Sequence, residues 1–212
     1  VQFHTPADLI PFGGSFKIAY APDLDTYGSG NNVGGVAQGA TGEGVASFAG
    51  RSATEMQVSF DAIPMADGLK IGASYFEFDS QGATKKDQNA ESGAYYATYA
   101  VGNVSLGYSK AYKALLVADA ANTGVDYYDQ TNQSIAYAIN DDLTISYEVE
   151  KSEANYVASG TAAVEQKSTG VQLAYNLGGM TLAIARNSHD NPSYSSTAAD
   201  LDQTLIAVTM AF

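Results

Sequence analysis

Large apolar residues fall on alternate positions along most of this chain. In "SFKIAYAP", Phe16, Ile18 and Tyr20 alternate with Lys17, Ala19 and Ala21; in "EMQVSFDA", Met56, Val58 and Phe60 alternate with Glu55, Gln57, Ser59 and Asp61. The same beat runs through "LKIGASYF" (Leu69, Ile71, Ala73, Tyr75 against Lys70, Gly72, Ser74, Phe76), Tyr95–Val101, Val104–Tyr108, Ser134–Ile139, Leu143–Glu150, Val171–Leu177 and Met180–Ala185. A period of two is the signature of a pleated strand with two unlike faces, whereas helical spacing is nearly absent. With "VQFHT" at the start and "DQTLIAVTMAF" at the end, the pattern predicts about eleven strands of about ten residues, the length that crosses a bilayer at a tilt.

The connections alternate in length. Short ones ("PMADG", "VGN", "INDD", "LGG", and the slightly longer "TPADLIPFGG") are rich in tight-turn residues. Long ones, predicted at 22–53, 79–92, 113–126, 152–167 and 187–200, are loaded with Gly, Ser, Asn, Asp and Ala. Tight turns at one end of a meander and long loops at the other is the layout of a transmembrane β-barrel. A soluble sandwich or barrel with its apolar face inward is the alternative. Against it, the non-apolar face is made of Ser, Ala, Gly, Thr and Gln rather than many Lys and Glu. Tyr also recurs on the apolar faces (Tyr20, Tyr75, Tyr99, Tyr137, Tyr147, Tyr175), as an interfacial girdle would require. On the membrane reading Phe16, Ile18, Val58, Phe60, Ile71, Leu106, Ile145, Leu173, Leu182 and Ile206 face lipid.

Composition narrows the classes further. The 212 residues include no Cys, which excludes disulfides and thiolate metal sites. Ten Lys and Arg against 23 Asp and Glu give a net charge of -13. That balance argues against nucleic acid and against docking on an anionic membrane through a polybasic patch. No apolar run is long enough for a transmembrane helix.

The closing stretch, "MTLAIARNSHDN…LDQTLIAVTMAF", resembles the last hairpin of Gram-negative general porins, whose final strand alternates apolar residues and ends on Phe. The resemblance implies an all-β fold, a transmembrane antiparallel up-and-down β-barrel in the bacterial outer membrane, associating as a homotrimer and without a cofactor. It also implies that Ile206, Val208, Met210 and Phe212 form the signal read by the outer-membrane assembly machinery. Members of the family usually have about sixteen strands, and a single-chain bacterial barrel needs an even number. Residues 1–212 are therefore expected to be a single domain, the C-terminal part of a longer barrel. The family's inward-folded constriction loop would then lie upstream.

Catalytic and metal chemistry find little support. His4 and His189 are the only histidines, and neither sits in a recognisable nucleophile setting, so no enzyme is expected. "GSGNNVGG" (28–35) has the glycines of a phosphate cradle without the Lys-Ser/Thr or the following helix. Asp23/Asp25, Asp126/Asp129 and Asp141/Asp142 lack the spacing of a Ca²⁺ loop. They are expected to be acidic rim, with Asp141 and Asp142 bonding their own turn backbone, and no metal site is expected.

If the apolar faces meet lipid, then Lys17, Glu55, Gln57, Asp61, Lys70, Glu148, Glu150 and Gln172 point into a lumen. Lining carboxylates enrich cations. The expected function is passive diffusion of small hydrophilic solutes through a water-filled channel with a mild cation preference; its partners are outer-membrane lipid, those solutes and cations. Two alternatives stay open. A substrate-specific channel would need an aromatic slide or basic ladder, for which Phe76, Tyr96 and Tyr128 are few and scattered. A non-conducting barrel would serve as a surface receptor or adhesin.

Overall fold

A computed structural model describes residues 1–6, 9–22, 52–64, 66–78, 90–115, 124–158 and 160–210. They form eleven strands: β1 (Gln2–His4), β2 (Ser15–Ala21), β3 (Ala53–Phe60), β4 (Leu69–Phe78), β5 (Ala90–Val101), β6 (Val104–Ala114), β7 (Val125–Ala138), β8 (Leu143–Tyr156), β9 (Val164–Asn176), β10 (Met180–Asp190) and β11 (Leu201–Met210). The eleven lie in one antiparallel sheet in chain order, each paired with its sequence neighbours. Among the described residues there is no α-helix, only a three-residue 3-10 turn at Pro192–Tyr194. This up-and-down order is barrel-like, and the sheet is not closed: β1 and β11 are its edges.

The register carries the alternation from strand to strand. Val101, Val104, Tyr137, Ile145, Leu173, Ile184 and Ile206 stand opposite one another in a single row across β5 to β11. One residue along, the matching row on the other face reads Ala100, Ser105, Ala136, Ser146, Gln172, Ala185 and Leu205. A slip of one residue at any pairing would have mixed the two sets, so the separation is a property of the whole sheet. It is not perfect, because Leu201 and Leu205 on the edge strand β11 belong to the small-residue face.

No apolar interior forms among the described residues. The buried hydrophobic residues among those described are four alanines, Ala53, Ala90, Ala114 and Ala154. Of the ten residues expected to point outward, Ile71, Leu106, Ile145, Leu173 and Ile206 are exposed, and Phe16, Ile18, Val58, Phe60 and Leu182 are half-buried against strand neighbours. Their large side chains share one face that nothing in the chain covers among the described residues. At the end of the sheet near the long connections, that face turns charged. Lys110–Asp129 (3.2 Å), Lys151–Glu165 (3.2 Å) and Arg186–Asp202 (3.6 Å) bridge adjacent strands there. Such exposed pairs add little stability; they mark where the apolar band stops.

Strands run further than hydropathy predicts. Ser152–Tyr156, Val164–Lys167 and Asn187–Asp190, all expected in long loops, belong to β8, β9 and β10. The physical reason is that backbone pairing continues past the apolar band, where polar residues such as Glu153 and Glu165 face each other without leaving a hydrophobic trace. The tight turns behave as expected, with Gly68 in the left-handed region (φ 82) between β3 and β4. Within the strands, Gly93 makes room for the Tyr112 ring, whose Cε1 lies 2.6 Å from where a Cβ would stand. An aromatic ring laid over a cross-strand glycine restores the packing the glycine gives up.

Candidate functional site

The chemistry-bearing residues collect on the small-residue face. Across β2 and β3, Lys17 stands opposite Gln57, and Glu55 opposite Ala19. Lys70 on β4 is opposite Thr98. On β8, Glu148 lies between Ser134 and Gly170, and Glu150 between Asn132 and Ser168; Gln172 on β9 is opposite Ser146. Seven of the eight predicted site residues therefore sit in strands with their side chains on one face. The exception is Asp61, which lies just past the end of β3, exposed, beside the turn around Gly13. The chain leaves the sheet there, as the Ala62 N–H donates to the Phe12 carbonyl (3.0 Å).

Two shallow depressions mark this face. One, of about 330 Å³, is floored by Thr98, Ser105, Gly107, Ser134, Ser146 and Glu148. The other, of about 220 Å³, is lined by Gln2, His4, Lys17, Glu55 and Gln57. Around them the polar side chains bond to one another. The Gln130 amide donates to a Glu150 carboxylate oxygen, Asn132 Nδ2 donates to Ser109 Oγ (3.3 Å), and Ser168 Oγ lies 2.9 Å from His189 Nδ1. A serine beside an imidazole is half of a hydrolytic arrangement. Among the described residues no carboxylate bonds the other imidazole nitrogen, so the pair lacks the orienting third member.

The charge on this face differs from the sequence expectation. Lys113, expected in a loop, is in β6 opposite Tyr128 and belongs here. On the regular ladder of the described strands three carboxylates (Glu55, Glu148, Glu150) thus face three lysines (Lys17, Lys70, Lys113), with Asp126 beside them at the bulge near the start of β7. The charges are segregated. Glu148 and Glu150 occupy the middle of β8, and no Lys or Arg of β7 to β11 shares their face. Much of the remaining acid stands on the opposite face, including Asp129 and Glu153, or in connections.

The proposed acidic clusters separate in the same way. Asp126 and Asp129 are both within β7 rather than in a loop, and Asp129 is engaged by Lys110. In the turn between β7 and β8, Asn140 takes the role expected of Asp141 and Asp142: its Oδ1 accepts from the N–H groups of Asp142 and Leu143, both at 2.9 Å. Among the described residues, no group of three His, Asp or Glu side chains gathers as a metal site would need. Asp23, Asp25, the glycine-rich stretch 28–35 and the C-terminal Phe212 lie outside the described residues. Ile206, Val208 and Met210 form an exposed apolar row on the outer edge strand β11, at 70 %, 54 % and 54 % exposure.

Sequence reasoning missed one feature of this face. The connection from β10 to β11 does not run away from the sheet. Its Tyr194 lies over β7 and β8, with the phenol oxygen 2.8 Å from Ser152 Oγ and the ring centroid 5.1 Å from that of Tyr128. Aromatic and hydroxyl residues 42 positions apart in "EKSEAN" and "NPSYSS" carry no periodic signal that would bring them together. No protein-family profile and no curated protein matches the chain.

Proposed function

We propose that this chain forms the wall of an outer-membrane diffusion channel of the general porin type, admitting small hydrophilic solutes with a mild preference for cations. One observation carries the reading: a single register sends most of the large aliphatic and aromatic side chains to one uncovered face, and mainly small, polar or charged side chains, with Phe76, Tyr96, Tyr128, Leu201 and Leu205 among them, to the other. In water that uncovered face would be an aggregation surface far larger than soluble proteins tolerate. In a bilayer the same face is satisfied by lipid, and the small-residue face lines a wet interior. The open edges at β1 and β11 present unpaired backbone groups, which closure with further strands would satisfy and which hydrocarbon would penalise heavily.

Permeation needs no bond chemistry. Solutes cross by diffusion, excluded by size and biased by the wall's charge. Glu148 and Glu150, midway along β8 among Ser, Asn and Gln side chains, supply the negative field at the centre. Carboxylates elsewhere in a chain of net charge -13 add to it at the rim. The field is screened within about 10 Å at 0.1 M salt, so the preference is modest and strongest in dilute electrolyte. Association as a homotrimer completes the proposal, on the strength of the resemblance of the terminal hairpin.

The test is electrical. The full protein in a planar bilayer is expected to give ohmic conductance steps. Across a KCl gradient its reversal potential should carry the cation-selective sign and grow as the salt is diluted. No steps at all would contradict the channel, and an anion-selective sign would contradict the role given to Glu148 and Glu150.

A further inference from the structure

We propose that the β10–β11 connection is a constriction folded across the polar face, and that Tyr194 is a size-determining residue of the channel. This rests on the diffusion-channel reading above. A connection that merely joined two adjacent strands would stay over its own hairpin. This one is held on β9, where Asn191 Nδ2 donates to the Glu165 carbonyl (2.9 Å) and the Ser193 N–H to Gln166 Oε1 (2.8 Å), and it sends one side chain further across the sheet. Tyr194 then meets Ser152 on β8 and Tyr128 on β7. With strands about 4.8 Å apart, the Ser152 anchor on β8 stands about 10 Å across the sheet from β10.

The fold of the segment is specific. Asn191, Ser193 and Tyr194 all have backbone φ in the left-handed region, at 49°, 58° and 56°. Residues with a Cβ occupy that region at a cost and hold it only where surrounding contacts over-determine it. Here the contacts are the two side-chain hydrogen bonds to β9, the tilted ring pair and the bond to Ser152. The last matters most, since Ser152 is buried (6 % exposed) and its hydroxyl would otherwise lack a partner among the described residues. Neighbouring Ala154, on the same face of β8, is fully buried.

All these anchors are on the polar face, because Ser152, Gln166 and Tyr128 share it with Glu150 and Gln130. At about 3.3 Å per residue, the Ser152 anchor is about 7 Å further along β8 than Glu150. The ring therefore narrows the passage just beside the carboxylates that set its charge. The groups that the segment itself presents there are a phenol, an amide and a hydroxyl, and the fixed charge alongside is Lys113, opposite Tyr128 on the same face. The segment limits size without setting the sign of selectivity.

The test compares wild type, Tyr194→Ala and Ser193→Cys in the full protein. Tyr194→Ala is expected to raise single-channel conductance and to admit uncharged oligosaccharides that wild type excludes in liposome swelling, with the sign of the reversal potential unchanged. Ser193 is exposed and the chain has no other cysteine, so Ser193→Cys permits modification after folding. A bulky alkyl thiosulfonate, which forms a mixed disulfide with the thiolate and releases sulfinate, is then expected to lower conductance in steps that a reductant reverses, whether or not the alanine variant folds. If wild type conducts and neither Tyr194→Ala nor the modified cysteine alters conductance or the sugar limit, the constriction is wrong and the channel reading stands. If wild type does not conduct, both fall.

Discussion

Ile145→Lys is expected to cripple assembly, while Ser146→Lys folds and inserts nearly as wild type. The two residues are adjacent on β8, in the same polypeptide context, and differ in the face they occupy. Ile145 stands in the apolar row between Tyr137 and Leu173 and is 40 % exposed. Ser146 stands between Ala136 and Gln172 on the face with the glutamates. A lysine on the lipid face near the bilayer midplane costs about 2–4 kcal/mol, enough to remove much of the stability of a folded domain, whereas a wet interior costs it almost nothing. Heat-modifiable migration and unfolding midpoints in lipid or detergent measure the difference. Equal stability of the two variants would mean that the faces are not chemically distinct. The reverse order would mean that they are assigned the wrong way round.

The second large effect is on selectivity. Replacing both Glu148→Lys and Glu150→Lys is expected to turn the channel from cation-preferring to anion-preferring. On the regular ladder of the described strands the polar face would change from three lysines and three glutamates to five lysines and one glutamate. The two replaced positions are mid-strand, on a stretch of wall where β8 to β11 supply no other Asp, Glu, Lys or Arg. Changing both removes two attractive charges and adds two repulsive ones at one level, which outweighs scattered rim carboxylates screened over about 10 Å at 0.1 M. The reversal potential across a KCl gradient should change sign, and the reversed preference should strengthen at low salt. A potential that keeps its sign would place the controlling charges elsewhere.

How much of the fold is legible in the sequence follows from what each signal encodes. Alternation at Phe16–Tyr20, Leu143–Val149 or Met180–Ile184 reports a pleat and a face, so strand number, antiparallel order and the composition of both faces are all present in the hydropathy pattern. It reports nothing beyond the apolar band. Lys113 reads as loop because Lys110–Ala114 has no large apolar partner pattern, yet backbone pairing with β7 places it on the polar face and alters the charge balance there. Asp61 shows the opposite failure. It continues the alternation of β3 by one residue after the chain has already turned toward Phe12. Tyr194 is out of reach altogether, since the contact with Ser152 joins residues far apart in sequence through a segment whose left-handed backbone at Ser193 and Tyr194 no propensity favours. Closure of the sheet is not legible either, because a barrel is closed by pairing at its edges and hydropathy along one strand does not say what lies beside it.

The most direct test of the account labels single cysteines along β8, in a chain that has none of its own. Thr144, Ser146, Glu148 and Glu150 alternate there with Ile145, Tyr147 and Val149. Each is changed in turn to Cys in the full protein, reconstituted in lipid and exposed to a water-soluble, membrane-impermeant maleimide or to a lipophilic one. The account predicts a strict alternation, with even-numbered positions reacting with the soluble reagent and odd-numbered positions reacting only with the lipophilic one. Uniform reaction with the soluble reagent on both faces, or the inverse alternation, would contradict it.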